Sequence, residues 1–327
     1  MAFPVSWIYG LIVRSRNAWY TNGRGVHRVP LPVISVGNIT VGGTGKTPLV
    51  TWIVRKLRDA GYKPAIVTRG YGSADPSSAD EVVEYHEQLE EIDVIVGANR
   101  VAQIQNYLEQ GGTANCLVMD DGFQHRRLHR DLDIVVLDFL RDALQDNMLP
   151  AGWLREPIDG LKRADAIVVS HTQHLCPEYA SAVCSIASKA PIAWTSHQWT
   201  ALHVFTEDGE KTEDLDWFVG KNVAVRLGIG CPGPVVEALV RLGAKISLQR
   251  TVGDHQPFTS DEVDMLKNAS KNVDAIVMTL KDWVKGRDVL DLSELDCPVV
   301  VPNLVLETIE GSQALELQIL DAVGKDT

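Results

Sequence analysis

The chain has 327 residues, of which 45% are hydrophobic and 23% are charged. These proportions exclude a disordered chain and a collagen-like fibre, and the length favours about two domains. The net charge of −12, from 31 basic and 43 acidic side chains, argues against nonspecific nucleic-acid binding by the whole molecule. Five cysteines without a C-x-x-C pair argue against a disulfide framework or a zinc ribbon and favour a reducing compartment.

The first 58 residues contain eight Lys or Arg side chains and no Asp or Glu. They begin with an amphipathic helical pattern whose two faces differ in character. One face carries Ser6, Gly10, Arg14, Asn17 and Thr21, and the opposite face carries Val5, Ile8, Ile12 and Trp19. Two interpretations stay open: the apolar stripe packs on the protein body, or it contacts an anionic membrane surface. The segment lacks the order of a signal peptide, and no apolar run approaches the roughly 18 residues that span a bilayer.

Short apolar segments then alternate with helix-length segments. The predicted elements are strand 33–36, helix 48–60, strands 65–68 and 94–96, helix 100–108, and strands 116–119, 134–137 and 166–169. After residue 191 the pattern loosens into a polar, irregular stretch with three tryptophans. A second alternation follows, with strand 223–227, helix 235–242, strand 246–249, helix 261–267, strands 275–278 and 299–301, and a helix from residue 313. Continuous apolar strands separated by helices indicate parallel sheets covered on both faces.

A glycine-rich turn joins strand 33–36 to helix 48–60. It reads Gly42, Gly43, Thr44, Gly45, Lys46 and Thr47. Glycines let backbone N–H groups approach phosphate oxygens closely, and Lys46 neutralises their charge, while the Thr47 hydroxyl is the expected Mg²⁺ ligand. The strict P-loop pattern has glycine at the position of Thr40, so the match is imperfect, but the strand-turn-helix context disfavours a turn without function.

Paired carboxylates, Asp120 and Asp121, follow strand 116–119. In a P-loop fold a strand of this kind delivers an acid to the magnesium beside the phosphates. Adjacent acids after a strand also occur in solvated turns, and the P-loop motif favours the metal-binding interpretation. These motifs predict a site for a nucleoside triphosphate with Mg²⁺, and they do not separate ATP from GTP.

The predicted fold is therefore α/β, with a P-loop NTPase-type parallel-sheet domain, a second and smaller α/β domain, and an N-terminal amphipathic helix. The predicted domains are residues 1–30 for the helix and entry segment, 31–192 for the P-loop domain, 193–218 for a connector, and 219–327 for the smaller α/β domain.

Four longer motifs closely resemble the tetraacyldisaccharide 4′-kinase family. They are P-V-I-S-V-G-N-I-T-V-G-G-T-G-K-T-P-L-V from Pro32, T-R-G-Y-G from Thr68, D-D-G-F-Q-H from Asp120, and L-P-A-G-W-L-R-E-P from Leu149. The resemblance covers nearly the whole chain. It implies an ATP- and Mg²⁺-dependent kinase that phosphorylates the 4′-hydroxyl of a tetraacyldisaccharide 1-phosphate, a lipid A precursor in lipopolysaccharide biosynthesis. It also implies a peripheral protein at the cytoplasmic face of the bacterial inner membrane, with no nucleic-acid partner and no inferred protein partner.

The resemblance also implies a set of site residues. Asp80 is implied as the general base, with His255 of the second domain paired to it, because a carboxylate held by an imidazole can accept a hydroxyl proton in a fixed orientation. The residues implied to line the phosphate and substrate cleft are Arg69, Tyr71, Arg100, Gln124, His125, Arg155 and Glu156. Arginines suit the phosphate already on the substrate. The alternative for Glu156 is an ion pair with a neighbouring arginine.

Other patterns carry competing interpretations. Residues 228–233 have the spacing of a dinucleotide fingerprint, although the glycines equally suit a tight strand-to-helix turn. His125 and His129 have helical zinc-ligand spacing without a third ligand, so zinc is not expected. The family's T-E-K-D motif reads Thr279-Leu280-Lys281-Asp282, which leaves Asp282 without an assigned role. A P-loop nucleotide switch or partitioning-type ATPase is the alternative function, and it should tolerate the loss of Asp80.

Overall fold

The computed structural model describes residues 2–70, 80–189, 191–253 and 256–324. Within these ranges the chain forms twelve strands and nine α-helices. The strands are β1 Val33–Gly37, β2 Pro64–Thr68, β3 Asp93–Val96, β4 Cys116–Asp120, β5 Leu132–Asp138, β6 Ala166–Ser170, β7 Ala193–Thr206, β8 Gly209–Glu213, β9 Asn222–Leu227, β10 Lys245–Thr251, β11 Ala275–Met278 and β12 Val299–Glu310. The helices are α1 Ala2–Thr21, α2 Lys46–Asp59, α3 Asp80–Gln88, α4 Arg100–Glu109, α5 Pro177–Ala187, α6 Gly233–Arg241, α7 Ser260–Ser270, α8 Leu280–Gly286 and α9 Ser312–Gly324.

The chain divides into two compact units by its internal contacts. Unit 1 comprises Met1–Gly70, Tyr85–His197 and Leu306–Thr327, and unit 2 comprises Tyr71–Glu84 and Gln198–Val305. Both β7 and β12 contribute residues to each unit. The two units are therefore not consecutive stretches of sequence, unlike the predicted domains.

The sheet of unit 1 has the strand order β7-β6-β5-β1-β4-β2-β3, and its neighbouring strands are parallel. β1 lies between β4 and β5, with Val36 beside Asp120 and Ile34 beside Leu132. All residues of β1, β4 and β5 are buried, which agrees with the apolar segments that these strands contain. Because parallel strands end at the same edge, the turn after β1 and the carboxylates at the end of β4 lie at one edge of this sheet.

The last helix packs in unit 1. Leu315 and Ile319 of α9 join Leu49 and Ile53 of α2 in one buried core cluster. This burial explains why Leu306–Thr327 belongs to unit 1. The sequence instead predicted that residues 219–327 form one smaller domain. A local pattern predicts that α9 is a helix, but it does not specify which core receives its apolar face.

Unit 2 contains the parallel strand order β10-β9-β11-β12, with α6, α7 and α8 between its strands in sequence. The expected irregular connector at residues 193–218 is instead largely β-structure, because β7 pairs antiparallel with β8. Leu202 and Val204 of β7 are buried, with the half-buried His203 between them. This alternation is the period of a strand with one face in a core.

Helix α1 packs through its small and polar face. Ser6, Gly10 and Val13 are buried, and the Ser6 hydroxyl accepts a hydrogen bond from the Ala151 backbone N–H at 2.9 Å. The large apolar side chains of the opposite face are exposed: Phe3, Val5, Trp7, Ile8, Leu11, Ile12 and Trp19. The interpretation in which this stripe packs on the protein body is therefore wrong. Across the described residues, no helix combines the length and apolar character needed to cross a membrane.

Candidate functional site

The glycine-rich turn leads directly into α2, which begins at Lys46 rather than at the predicted residue 48. Lys46 and Thr47 therefore lie in the first helical turn. Gly45 precedes them with φ 80° and ψ 22°, a left-handed conformation that favours glycine. No side chain caps this helix start. Its first backbone N–H groups consequently form an anion site of the kind that binds phosphate at helix N-termini.

Buried polar side chains support the turn. Asn38 is fully buried and donates from Nδ2 to the Thr44 hydroxyl at 2.8 Å. The Ser170 hydroxyl, at the end of β6, donates to the Thr44 carbonyl at 2.9 Å. The Gln124 side chain donates to the Asn38 carbonyl at 2.7 Å, and Arg155 donates to the Asn38 side-chain oxygen. These contacts hold the turn in place before any ligand arrives, which is the requirement for electrostatic preorganisation.

The two carboxylates at the end of β4, Asp120 and Asp121, have different environments. Asp120 is buried, accepts hydrogen bonds from the Tyr85 hydroxyl at 2.9 Å and the Asp121 N–H at 2.7 Å, and has a pKa raised by burial. Asp121 accepts hydrogen bonds from the two terminal guanidinium nitrogens of Arg155 at 2.7 and 2.9 Å. The Lys46 Nζ lies 3.5 Å from the Asp121 Oδ1. Burial alone would raise the pKa of Asp121, but Lys46 and then Arg155 hold it well below its ordinary value.

The donor set around the turn fits magnesium. The Thr47 hydroxyl and the carboxylates of Asp120 and Asp121 are hard oxygen ligands, which this cation prefers. The low pKa of Asp121 keeps that carboxylate ionised, as a cation ligand requires. The chemistry of these side chains therefore agrees with the predicted metal site.

Arg100 contacts the backbone of the acidic pair, and its charge also acts on His125. Arg100 is the buried first residue of α4 and donates to the backbone carbonyls of Asp120 at 2.8 Å and Asp121 at 3.2 Å. Burial, followed by the charges of Arg100 and Arg130, lowers the pKa of His125 to about 3. His125 is thus neutral near pH 7. Arg100 fixes the backbone that carries both carboxylates.

Comparison with known proteins identifies the family. The family model for tetraacyldisaccharide-1-P 4′-kinase matches residues 1–323. The tetraacyldisaccharide 4′-kinase of Chlorobaculum tepidum is 33% identical over 98% of this chain and 96% of its own length. This chain belongs to the tetraacyldisaccharide 4′-kinase family. The corresponding protein of Vibrio vulnificus is 32% identical over 88% of this chain and 83% of its own length.

A solved structure supports the family fold. The crystal structure of LpxK from Aquifex aeolicus in complex with ATP is 26% identical, covers 98% of each chain and has a TM-score of 0.73. The predicted α/β P-loop fold and the predicted phosphotransferase class are both confirmed for this member of the tetraacyldisaccharide 4′-kinase family. The family also decides between the two functions left open by the sequence, in favour of a kinase rather than a nucleotide switch.

The structure brings together one part of the predicted site. Lys46 and Arg155 both contact Asp121, and Gln124 and Arg100 bind the neighbouring backbone. The exposed Arg69 follows β2. Tyr71 and His255 lie outside the described residues, so their roles in this tetraacyldisaccharide 4′-kinase stay predictions.

Asp80 begins α3 in unit 2 and faces Lys285. Its Oδ2 lies 2.7 Å from the Lys285 Nζ. In the same unit, the Gly228 N–H donates to the Asp282 carboxylate at 3.1 and 3.0 Å. The first backbone N–H of the glycine motif at residues 228–233 is therefore already bound by the Asp282 carboxylate of the protein. This contact supports the tight-turn interpretation over a second nucleotide site.

Glu156 has a structural environment. It is fully buried, pairs with Arg163 at 2.6 and 2.9 Å, and accepts from the Asn17 amide of α1 at 3.1 Å. These contacts agree with the ion-pair alternative. Its sequence neighbour Arg155 contacts Asp121 instead. The two adjacent residues of this motif therefore have different partners: one contacts the proposed nucleotide site, and the other forms a buried ion pair.

A Glu156→Gln variant is expected to lose about 3 kcal/mol in free energy of unfolding, because Arg163 keeps its charge without a buried counter-charge. Urea unfolding measures this loss. Asp159→Asn is the control, since it breaks only the exposed ion pair with Arg14. That control should change the free energy of unfolding by less than about 1 kcal/mol. Equal effects of the two variants would contradict the assignment of Glu156.

Several supporting residues were missing from the sequence prediction. Asn38 and Ser170 hold the glycine-rich turn, and Tyr85 binds Asp120. Arg141 donates to the Val41 carbonyl at 3.4 Å, beside Gly42. Asn38 lies within the motif that begins at Pro32, so its position in the sequence could have indicated a role at the turn. The other three become apparent only when the strand ends and α3 are assembled.

Proposed function

We propose that this chain transfers the γ-phosphoryl group of ATP to the 4′-hydroxyl of a tetraacyldisaccharide 1-phosphate. The observation that carries the proposal is the uncapped start of α2, with Lys46 beside the ionised Asp121, in a chain that the family model matches over residues 1–323. A helix start of this kind binds phosphate, and the family indicates the acceptor. The lipid disaccharide is an acceptor of the lipid A pathway.

In the proposed reaction, the backbone N–H groups of residues 45–47 bind the nucleotide phosphates, and Lys46 neutralises charge that develops on the transferred group. Thr47, Asp120 and Asp121 would hold Mg²⁺, which supplies charge neutralisation at the phosphate oxygens when bound. Arg155 orients Asp121 through two hydrogen bonds. Most of the rate acceleration comes from positioning and electrostatics, because phosphoryl transfer requires little covalent participation by the protein.

The acceptor hydroxyl must lose a proton as its oxygen bonds to phosphorus and the bond to the ADP oxygen breaks. We assign that proton to the Asp80 carboxylate, with His255 orienting it. Among the predicted arginines, we assign the exposed Arg69 to the 1-phosphate of the substrate. Arg100 is buried on the carbonyls of Asp120 and Asp121, so its proposed role is to position those residues.

The exposed face of α1 is proposed to bind the cytoplasmic surface of the inner membrane, where a lipid substrate and ATP are both available. Its polar face is held by protein contacts: Asn17 binds Glu156, and Tyr9 donates to the Arg155 carbonyl at 3.2 Å. The apolar face is therefore the one directed away from unit 1. Trp19 and Arg24, whose guanidinium lies 5.0 Å from the indole ring, provide an interfacial aromatic and a cation for anionic headgroups.

A Trp7→Ser/Ile8→Ser double variant is expected to weaken vesicle binding by about tenfold or more, since each large apolar side chain contributes roughly 1.5–3 kcal/mol on burial. Sedimentation with phosphatidylglycerol and phosphatidylethanolamine vesicles measures the change. Leu317→Ser is the matched control, because Leu317 is equally exposed on α9. Unchanged binding by the double variant would contradict the proposed membrane surface.

The proposed activity is tested by incubating the full chain with γ-labelled ATP, Mg²⁺ and the tetraacyldisaccharide 1-phosphate in mixed detergent micelles. One label should enter the lipid for each ADP formed. Release of the label only as inorganic phosphate would contradict the proposed transfer.

A further inference from the structure

A buried lysine contacts the proposed general base. Lys285 Nζ lies 2.7 Å from Asp80 Oδ2, and the two side chains are only 11% and 19% exposed. Both residues belong to unit 2. An ion pair with so little access to water is screened much less than a surface pair, and its geometry is correspondingly better defined.

The position of Lys285 is set by an anchor three residues earlier on the same helix. Asp282 is fully buried in the first turn of α8 and forms an ion pair with the fully buried Arg226. It also accepts from the Thr279 hydroxyl at 2.8 Å and from the Gly228 N–H. Residues three apart lie on neighbouring positions of a helix surface, so fixing Asp282 fixes the direction of Lys285.

The same arginine contacts residues that follow His255 in sequence. Arg226 donates to the Gln256 carbonyl at 3.3 Å, and its guanidinium lies 4.0 Å from the centre of the Phe258 ring. The Gly253 N–H donates to the Gln256 Oε1 at 2.9 Å, and the Gln256 N–H donates to the Gly253 carbonyl at 3.1 Å. One buried ion pair therefore anchors the helix that contacts Asp80 and is linked to Gln256, the described residue that follows His255 in sequence.

We propose that Lys285 is a positioning residue for the general base and that Arg226 and Asp282 are its buried anchor. The inference rests on the proposed role of Asp80. By binding Oδ2, the ammonium fixes the rotation of the carboxylate and therefore the direction of Oδ1. It also favours the ionised carboxylate, the form that accepts a proton. Asp282 thereby acquires a role that the sequence left unassigned.

The first test compares Lys285→Met, which keeps chain length without charge, with Lys285→Arg, which retains a cation. Lys285→Met is expected to lower kcat roughly 10- to 100-fold while leaving KM for ATP within about twofold, because orientation of the base is lost and the nucleotide site is untouched. Lys285→Arg should recover kcat to within roughly fivefold of the parent chain. Lys271→Met, an exposed lysine of the same unit, is the control and should retain full kcat.

The second test is a double-mutant cycle with Asp80→Asn. If Lys285 acts through Asp80, Lys285→Met should cause no further loss of kcat in the Asp80→Asn background. Full kcat in Lys285→Met, no recovery in Lys285→Arg, or independent losses that multiply would each overturn the inference. Full kcat in Asp80→Asn would instead refute the proposed base. A loss in Lys285→Met alone, with Asp80→Asn active, would therefore count against both.

Discussion

Replacing Lys46 by alanine is expected to reduce kcat/KM for phosphoryl transfer roughly 10²- to 10³-fold, because the transition state loses a charge preorganised at the start of α2. The Lys46 ammonium lies 3.5 Å from Asp121, so it is close both to the glycine-rich turn and to a proposed metal ligand. Steady-state transfer rates and nucleotide binding measured by calorimetry should both fall. Circular dichroism should be unchanged, since the apolar core cluster that α2 joins is formed by other residues of the helix, such as Leu49, Ile53 and Leu57.

Lys56→Ala is the matched control for this prediction. Lys56 lies on the same helix and pairs with Glu316 of α9 at 2.9 Å, away from the phosphate turn. Its removal should leave kcat/KM within about twofold, because a partly exposed ion pair contributes little free energy. Similar losses in the two variants would show a general defect of α2 and contradict the specific role of Lys46.

Asp80→Asn is expected to lower kcat by roughly 10²- to 10⁴-fold, the range contributed by a positioned general base. Unlike Lys46→Ala, this variant should bind nucleotide normally, since the change removes proton acceptance rather than phosphate contacts. Rapid-quench measurement of transfer with saturating ATP separates these two effects. The carboxamide is nearly isosteric with the carboxylate, so the fold should be retained.

Glu90→Gln is the control for Asp80→Asn. Glu90 is exposed shortly after the end of α3 and has the same change of charge. Full activity in Glu90→Gln together with loss in Asp80→Asn supports the base. A fully active Asp80→Asn would contradict it and would match the behaviour expected of a nucleotide switch.

The sequence was most informative where local chemistry determines local structure. The buried strands β1, β4 and β5 contain the predicted apolar segments, and the glycine-rich turn lies between β1 and α2, as its pattern predicts. The helix start was misplaced by two residues, because Pro48 is favourable in the first turn generally and does not define its first residue. This difference has a functional consequence, since it places Lys46 and Thr47 on the helix itself.

Elements that depend on distant partners were not predicted. The strand β7 was interpreted as a connector because its alternation begins only where one face meets the core of unit 2. The short helices α3 and α8 carry many charged residues, and their apolar periodicity spans too few turns to be recognised. α8 is stabilised instead by the Thr279 cap and by the Asp282–Arg226 pair, which joins residues far apart in sequence.

The N-terminal helix illustrates the same limit. Its amphipathic pattern is visible in the sequence, but amphipathicity alone does not state which face meets the protein. The buried Gly10 permits close approach of α1 to Met148, and Ser6 and Asn17 find hydrogen-bond partners from the loop that contains the L-P-A-G-W-L-R-E-P motif. Those partners are more than 130 positions away, so only the assembled fold identifies the exposed apolar face.

Residues of one sequence motif can have different roles, one at the proposed site and one in packing. Arg155 and Glu156 are adjacent in one motif, yet Arg155 orients Asp121 and Glu156 stabilises the packing of α1. Motif membership alone gives both residues the same prediction. Burial and ion-pair partners distinguish them, since Glu156 is fully enclosed with Arg163.

The position of the new phosphate on the lipid tests the central claim most directly. The product of the reaction with ATP and tetraacyldisaccharide 1-phosphate should be examined by two-dimensional ¹H–³¹P correlation spectroscopy. The account predicts a second phosphomonoester whose phosphorus correlates with the proton on the 4′ carbon. A phosphorus signal that correlates with another ring position, or appears only as inorganic phosphate, would contradict transfer to the 4′-hydroxyl.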